Sequence, residues 1–175
     1  MSEGNSSHLV PVHGGLSEPV DRTVPLNQRT VFQAEADALP SVVVTAADLS
    51  TVYRIADGAL SPLDGPMKRS EFQQVLDDSV LIRDGQRYAW TIPLSLPVTD
   101  TEAGAISEGG SVAIRTEDGA LVAIVDDAEV FDWDKGSGHD FFLTLMMYSE
   151  STFSPFGMVS GFSSRNVAHF LDPFD

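Results

Sequence analysis

Between residues 88 and 98 the chain reads YAWTIPLSLPV, and every even position is apolar: Tyr88, Trp90, Ile92, Leu94, Leu96 and Val98. Arg87, Thr91, Ser95 and Thr99 alternate with them. A period of two sends successive side chains to opposite faces of an extended backbone, so the segment predicts a β-ribbon with one buried face. Pro93 and Pro97 fall on the odd side, and neither has an amide donor to give a ladder. The strand is therefore expected to run at an edge, or to bend or bulge at the prolines.

Two Asp-Gly pairs add hairpins around this ribbon. Asp84-Gly85 predicts a tight turn between 80–83 and 86–92, and Asp118-Gly119 does the same between 111–116 and 120–126. Ser41-Val42-Val43-Val44 is a β-branched run of the kind found in buried strands. Thr45-Ala46-Ala47-Asp48 has the form of a capping box, after which Leu49, Val52, Tyr53 and Ala56 share one helix face, with Gly58 placed to end the helix. Leu26, Phe32, Glu35, Ala36 and Leu39 are spaced for a helix over 26–39, with Pro25 at its start. A shorter helix fits 70–76, turning Phe72, Val75 and Leu76 inward. Short strands, Asp-Gly turns and a few short helices predict an α+β fold built on a small β-barrel.

Charge narrows the functions open to such a fold. The 175 residues carry a formal net charge of −16, with 10 basic residues against 26 acidic ones. Proteins that grip phosphate backbones do so with Lys and Arg, so no nucleic-acid partner is expected, and the same balance disfavours an anionic membrane surface. There is no cysteine for a disulfide, a thiol nucleophile or a metal thiolate. His8, His13, His139 and His169 are scattered without ligand spacing, so no metal site and no cofactor is expected. Phosphate-loop, dinucleotide and serine-elbow motifs are absent as well. The first residues, MSEGNSSH, do not read as a secretory leader, and a cytoplasmic location is the expectation.

Composition divides the chain. Residues 1–8 are small and polar and are expected to be disordered. After Lys135 the last 40 residues hold seven of the ten Phe, yet one basic residue, Arg165, and four of the acids. The expectation is a domain over 9–135 followed by a divergent Phe-rich tail over 136–175, which would dock on a partner or drive self-association.

Four stretches now stand in order: LVPVHGG at 9–15, RIADGALSPLDGPM at 54–67, YAWTIPLSLPV at 88–98 and VFDWDK at 130–135. Together they resemble the N-terminal, PUA-like domain of ATP sulfurylases, the sulfate adenylyltransferases. The resemblance implies a PUA-like barrel. It also implies that DGALSPLDGP is a corner of the scaffold, with Gly58, Pro62 and Gly65 fixing the turn and Leu60 and Leu63 pinned inward. The family's chemistry, which joins sulfate to AMP and releases pyrophosphate, belongs to a further domain holding Q-T-R-N-P and H-x-x-H segments. Here the resemblance stops after VFDWDK. One echo, FSSRNVAH at 162–169, keeps Arg165, Asn166 and His169, but it lacks the Gln, Thr and Pro, and Asp172 stands where the second His belongs. It reads as a degraded anion-binding remnant, with no catalytic residue assigned.

Three functions follow as expectations. The first is a non-catalytic scaffold that docks to a catalytic domain or another protein. The second is part of an active sulfate adenylyltransferase, in which case ATP and sulfate are ligands. The third is an RNA-binding PUA-like module, which the charge opposes.

Overall fold

A computed structural model of the chain describes residues 11–132 and the backbone of one further strand, Gly157–Gly161. The chain order is a turn of 3-10 helix at His13–Gly15, another at Leu26–Gln28, then α1 (Arg29–Ala36), β1 (Ser41–Val44), α2 (Ala46–Ala56), α3 (Arg69–Asp78), β2 (Val80–Arg83), β3 (Gln86–Ala89), β4 (Leu96–Val98), α4 (Asp100–Ala105), β5 (Gly110–Thr116), β6 (Leu121–Phe131) and β7 (Gly157–Gly161).

Both Asp-Gly turns are in place. Asp84 and Gly85 have φ of 50° and 75°, the left-handed pair that a two-residue hairpin requires, and β2 pairs β3 antiparallel from Val80↔Ala89 to Arg83↔Gln86. At the second pair only Gly119 (φ 85°) is left-handed, and Thr116 N donates to Ala120 O at 3.0 Å across a three-residue loop, so β5 turns back onto β6 there by a longer turn than the two-residue one expected. The strand after it runs to Phe131, beyond the expected 126, because its second half gains a second partner: residues 121–125 and Ala128 pair with β5, and 128–131 pair with β7. β7 comes from the segment that composition set apart as a tail, and it lies inside the sheet, whose order is β1-β5-β6-β7-β4. β1 joins β5 in parallel and the other pairs are antiparallel.

The expected ribbon over 88–98 is two pieces serving two sheets. β3 belongs to the separate β2–β3 pair and β4 to the five-stranded sheet. Between them the backbone bonds to a loop instead of a strand: Leu94 O accepts from Met67 N at 2.7 Å, and Ser95 Oγ donates to Met67 O at 2.7 Å. Alternation fails where the prolines interrupt it, since Pro93 is buried while Ile92 is 39% exposed. Two smaller expectations also change. The helix over 26–39 is regular only across α1, with Leu26 left exposed, and Val43 of the β-branched run faces solvent because β1 buries one face only.

Three apolar groups hold these elements together. Inside the curled sheet, Val42, Val44, Leu96, Val98, Val112, Ile114 and Val125 pack against Val52 and Ala56 of α2. On the outer face of β5 and β6, Ala113, Leu121 and Ile124 meet Phe32 and Ala36 of α1, which is why 121–125 is buried without alternation. The third group joins Leu63 and Met67 to Phe72 and Val75 of α3, Leu81 of β2 and Phe131 of β6.

Candidate functional site

α2 starts at the expected capping box, in which Thr45 Oγ1 accepts from Asp48 N and the Asp48 carboxylate accepts from Thr45 N. It ends at Asp57, and Gly58 follows with φ 79°, a conformation that L side chains adopt at a cost. A Cβ on Gly58 would also stand 2.7 Å from Val20 O. The chain then turns tightly: Leu60 N donates to Arg54 O at 3.0 Å, and Leu63 N donates to Leu60 O at 2.9 Å. Ser61 is the buried polar residue of this corner. Its hydroxyl donates to Gly58 O at 2.6 Å and accepts from Val20 N at 2.9 Å, so both hydrogen-bonding roles are filled. Pro62, which follows a cis peptide bond, is buried, as are Leu63 and Gly65, while Leu60 is partly buried. Arg22 and Asp64 close the outside of the corner with an ion pair at 3.1 Å.

The HGG turn seats directly on this corner. Gly14 and Gly15 have φ of 83° and 76°, and a Cβ on either would collide, with the Pro62 ring in the first case and the Tyr88 hydroxyl in the second. His13 Nε2 lies 2.9 Å from Ala89 O, so that nitrogen carries the hydrogen and donates it to the carbonyl. Its ring meets Tyr88 edge-on at 5.8 Å and lies tilted against Trp90 at 6.1 Å. Trp90 Nε1 in turn donates to Ile92 O at 2.6 Å. Three stretches far apart in sequence, 13–15, 58–65 and 88–92, thus meet at one end of the molecule. Every polar contact among them is a short bond to backbone.

Basic side chains are the groups that could clamp sulfate or a triphosphate, and they are engaged elsewhere. Seven of the eight Lys and Arg among the described residues form ion pairs with carboxylates: Arg22, Arg54, Lys68, Arg69, Arg83, Arg87 and Arg115. The closest are Lys68–Asp127 and Arg83–Glu71, both at 2.5 Å. Arg115 reaches Asp37 at 2.9 Å, and together with Gln33 it holds the Asp37 carboxyl below its ordinary pKa. A shallow groove of about 230 Å³ beside the start of α3 is lined by Lys68, Ser70, Glu71 and Gln74, and its cation and its acid are both already paired. The void among Val52, Ile55, Leu96, Ile114 and Val125 is apolar and measures about 10 Å³, at the lower limit for one water. Among the described residues no three His, Asp or Glu side chains gather as metal ligands, and no helix is long and apolar enough to cross a membrane.

The structure brings together Gly58, Pro62 and Gly65. Arg165, Asn166 and His169 lie outside the described residues, as do His8, His139, Trp133 and the Phe-rich stretches flanking β7. What sequence reasoning missed is α4, whose signal was present in Thr99-x-x-Glu102, a second capping box.

The PUA-like domain family matches residues 10–141. The sulfate adenylyltransferase of Pyropia yezoensis is 43% identical over 149 residues, covering 85% of this chain and 33% of that protein. That of Staphylothermus marinus is 36% identical over 123 residues, covering 70% of this chain and 31% of that protein. The chain therefore spans about a third of the length of the curated relatives it matches. Among solved structures, a hexameric APS kinase from Thiobacillus denitrificans superposes with a TM-score of 0.69 at 23% identity, over 95% of this chain and 28% of that one, a likeness of fold.

Proposed function

The chain belongs to the PUA-like domain family, and on that premise we propose that it is the scaffold domain of a sulfate adenylyltransferase type of protein, serving sulfate assimilation without turning over substrate itself. It works by docking to a catalytic domain or another protein. The Phe residues before and after β7 within 136–175 supply apolar contacts, and Gly58, Pro62 and Gly65 keep the corner rigid under the HGG turn.

The observation that carries this reading is the ion pairing of the described basic residues. Transfer of an adenylyl group to sulfate needs several cations and donors converging on the triphosphate and the attacking oxygen in one preorganised pocket. Here seven cations are spread over seven separate carboxylates, and a net charge of −16 opposes the approach of two anions. The purified chain should show no sulfate-dependent exchange between ATP and pyrophosphate and form no adenylyl sulfate. Sulfate-dependent exchange that Arg165→Ala abolishes would establish the remnant as a working site and overturn the scaffold reading.

The second reading, part of an active adenylyltransferase, is favoured by the 43% identity to a protein of that name. The same exchange assay decides it. RNA binding rests on fold likeness alone and is opposed by the charge.

A further inference from the structure

β1 and β4 are the first and last strands of the five-stranded sheet, and the sheet curls until they lie side by side with no ladder between them. A seam of this kind leaves the outward donors of β1 bare. Donors alternate along a strand: those of Val42 and Val44 face β5, while Val43 N–H points into the seam.

Glu102 fills that place. It is the third residue of α4, the helix that begins directly after β4, and its Oε2 accepts from Thr99 N at 2.8 Å and Thr99 Oγ1 at 2.7 Å. Those contacts complete the capping box and would be enough for it. Its other oxygen, Oε1, accepts from Val43 N at 2.9 Å, across 59 residues of sequence. One carboxylate is thus bound to the end of β4 and to the edge of β1. The neighbouring outward donor, Thr45 N–H, is also covered by a carboxylate, that of Asp48 at 3.3 Å.

We propose that Glu102 is a clasp that holds the barrel shut, its carboxylate replacing the strand partner that the β1 edge lacks, so that release of Glu102 opens the seam between β1 and β4. The role differs from capping, and two kinds of variant separate them. Glu102→Asp keeps a carboxylate at the third helical position, as Asp48 does in α2, but it is one methylene too short to reach Val43. Thr99→Ala removes the cap and leaves the reach to Val43.

The measurement is amide hydrogen exchange of the full chain, resolved at Val42, Val43 and Val44. Loss of a bond to a charged acceptor should speed Val43 in Glu102→Asp by roughly tenfold or more, with Val42 and Val44 close to wild type. Thr99→Ala should leave Val43 slow, and Glu102→Gln, which retains an acceptor oxygen at full length, should keep it slow as well. Exchange of Val43 at the wild-type rate in Glu102→Asp would overturn the clasp. So would equal acceleration in Thr99→Ala, which would make the effect helix fraying, or acceleration spread evenly over all three valines, which would make it general loss of stability.

Discussion

Gly14 and Gly85 share a left-handed backbone, with φ of 83° and 75°, but their surroundings differ in kind. Nothing lies within 4 Å of a Cβ added to Gly85, whereas one added to Gly14 would enter the buried Pro62 ring. Gly85→Ala therefore carries only the conformational cost, about 1 kcal/mol. Gly14→Ala adds overpacking against this buried ring, for a total of about 2–4 kcal/mol. Urea unfolding of the two variants measures this, and equal shifts in midpoint would mean that the HGG turn is not wedged onto the SPL corner. Ser61 follows the same logic. Its buried hydroxyl links Gly58 O to Val20 N, so the corner is specified by side-chain size and by hydrogen bonds together.

The segment over 88–98 shows what periodicity can and cannot specify about an element. Leu96 is 1% exposed in β4 and Ile92 is 39% exposed in the linker, although both sit on the same even-numbered register. Leu96→Ala should cost about 2–5 kcal/mol, in contrast to within about 1 kcal/mol for Ile92→Ala. Comparable losses would restore a continuous ribbon. The alternation was legible because it records which side chains seek burial. The partner of each half was not, because β3 pairs with β2 outside the main sheet while β4 packs its residues with Val112 and Val125. The Asp-Gly turns and the Thr45 capping box were legible for the opposite reason, since their chemistry is local and no distant contact can alter the choice. α4 carried the same capping signal, but the rest of the helix is Ala103-Gly104-Ala105, with no apolar stripe to announce it. At the candidate site the HGG, DGALSPLDGP and YAW stretches each stood out in the sequence. Their meeting did not, because it rests on Gly14 fitting Pro62 and on His13 reaching Ala89, contacts that leave no periodic trace.

For the molecule as a whole, the position of β7 bears on where the folding unit ends. Composition sets the boundary at Lys135, and β7 lies beyond it, yet this strand stands between β6 and β4. It pairs with Leu96, Pro97 and Val98 on one side and with residues 128–131 on the other. Without it β4 has no strand partner, and side-chain packing together with the Thr99–Glu102–Val43 contacts would tie that end of the sheet to β1. Each ladder bond lost removes about 0.5–1.5 kcal/mol, so several lost together should lower stability by about 2 kcal/mol or more. The comparison is between a chain ending at Lys135 and one ending at Gly161. The shorter chain should unfold at a lower urea midpoint and sediment as a larger species, because the bared edges of β4 and β6 offer donors and acceptors to other copies. This is the opposite of a tail whose removal leaves a stable monomer. Equal midpoints with the shorter chain monomeric would show that the barrel closes without β7 and that 136–175 is an appendage free to dock elsewhere.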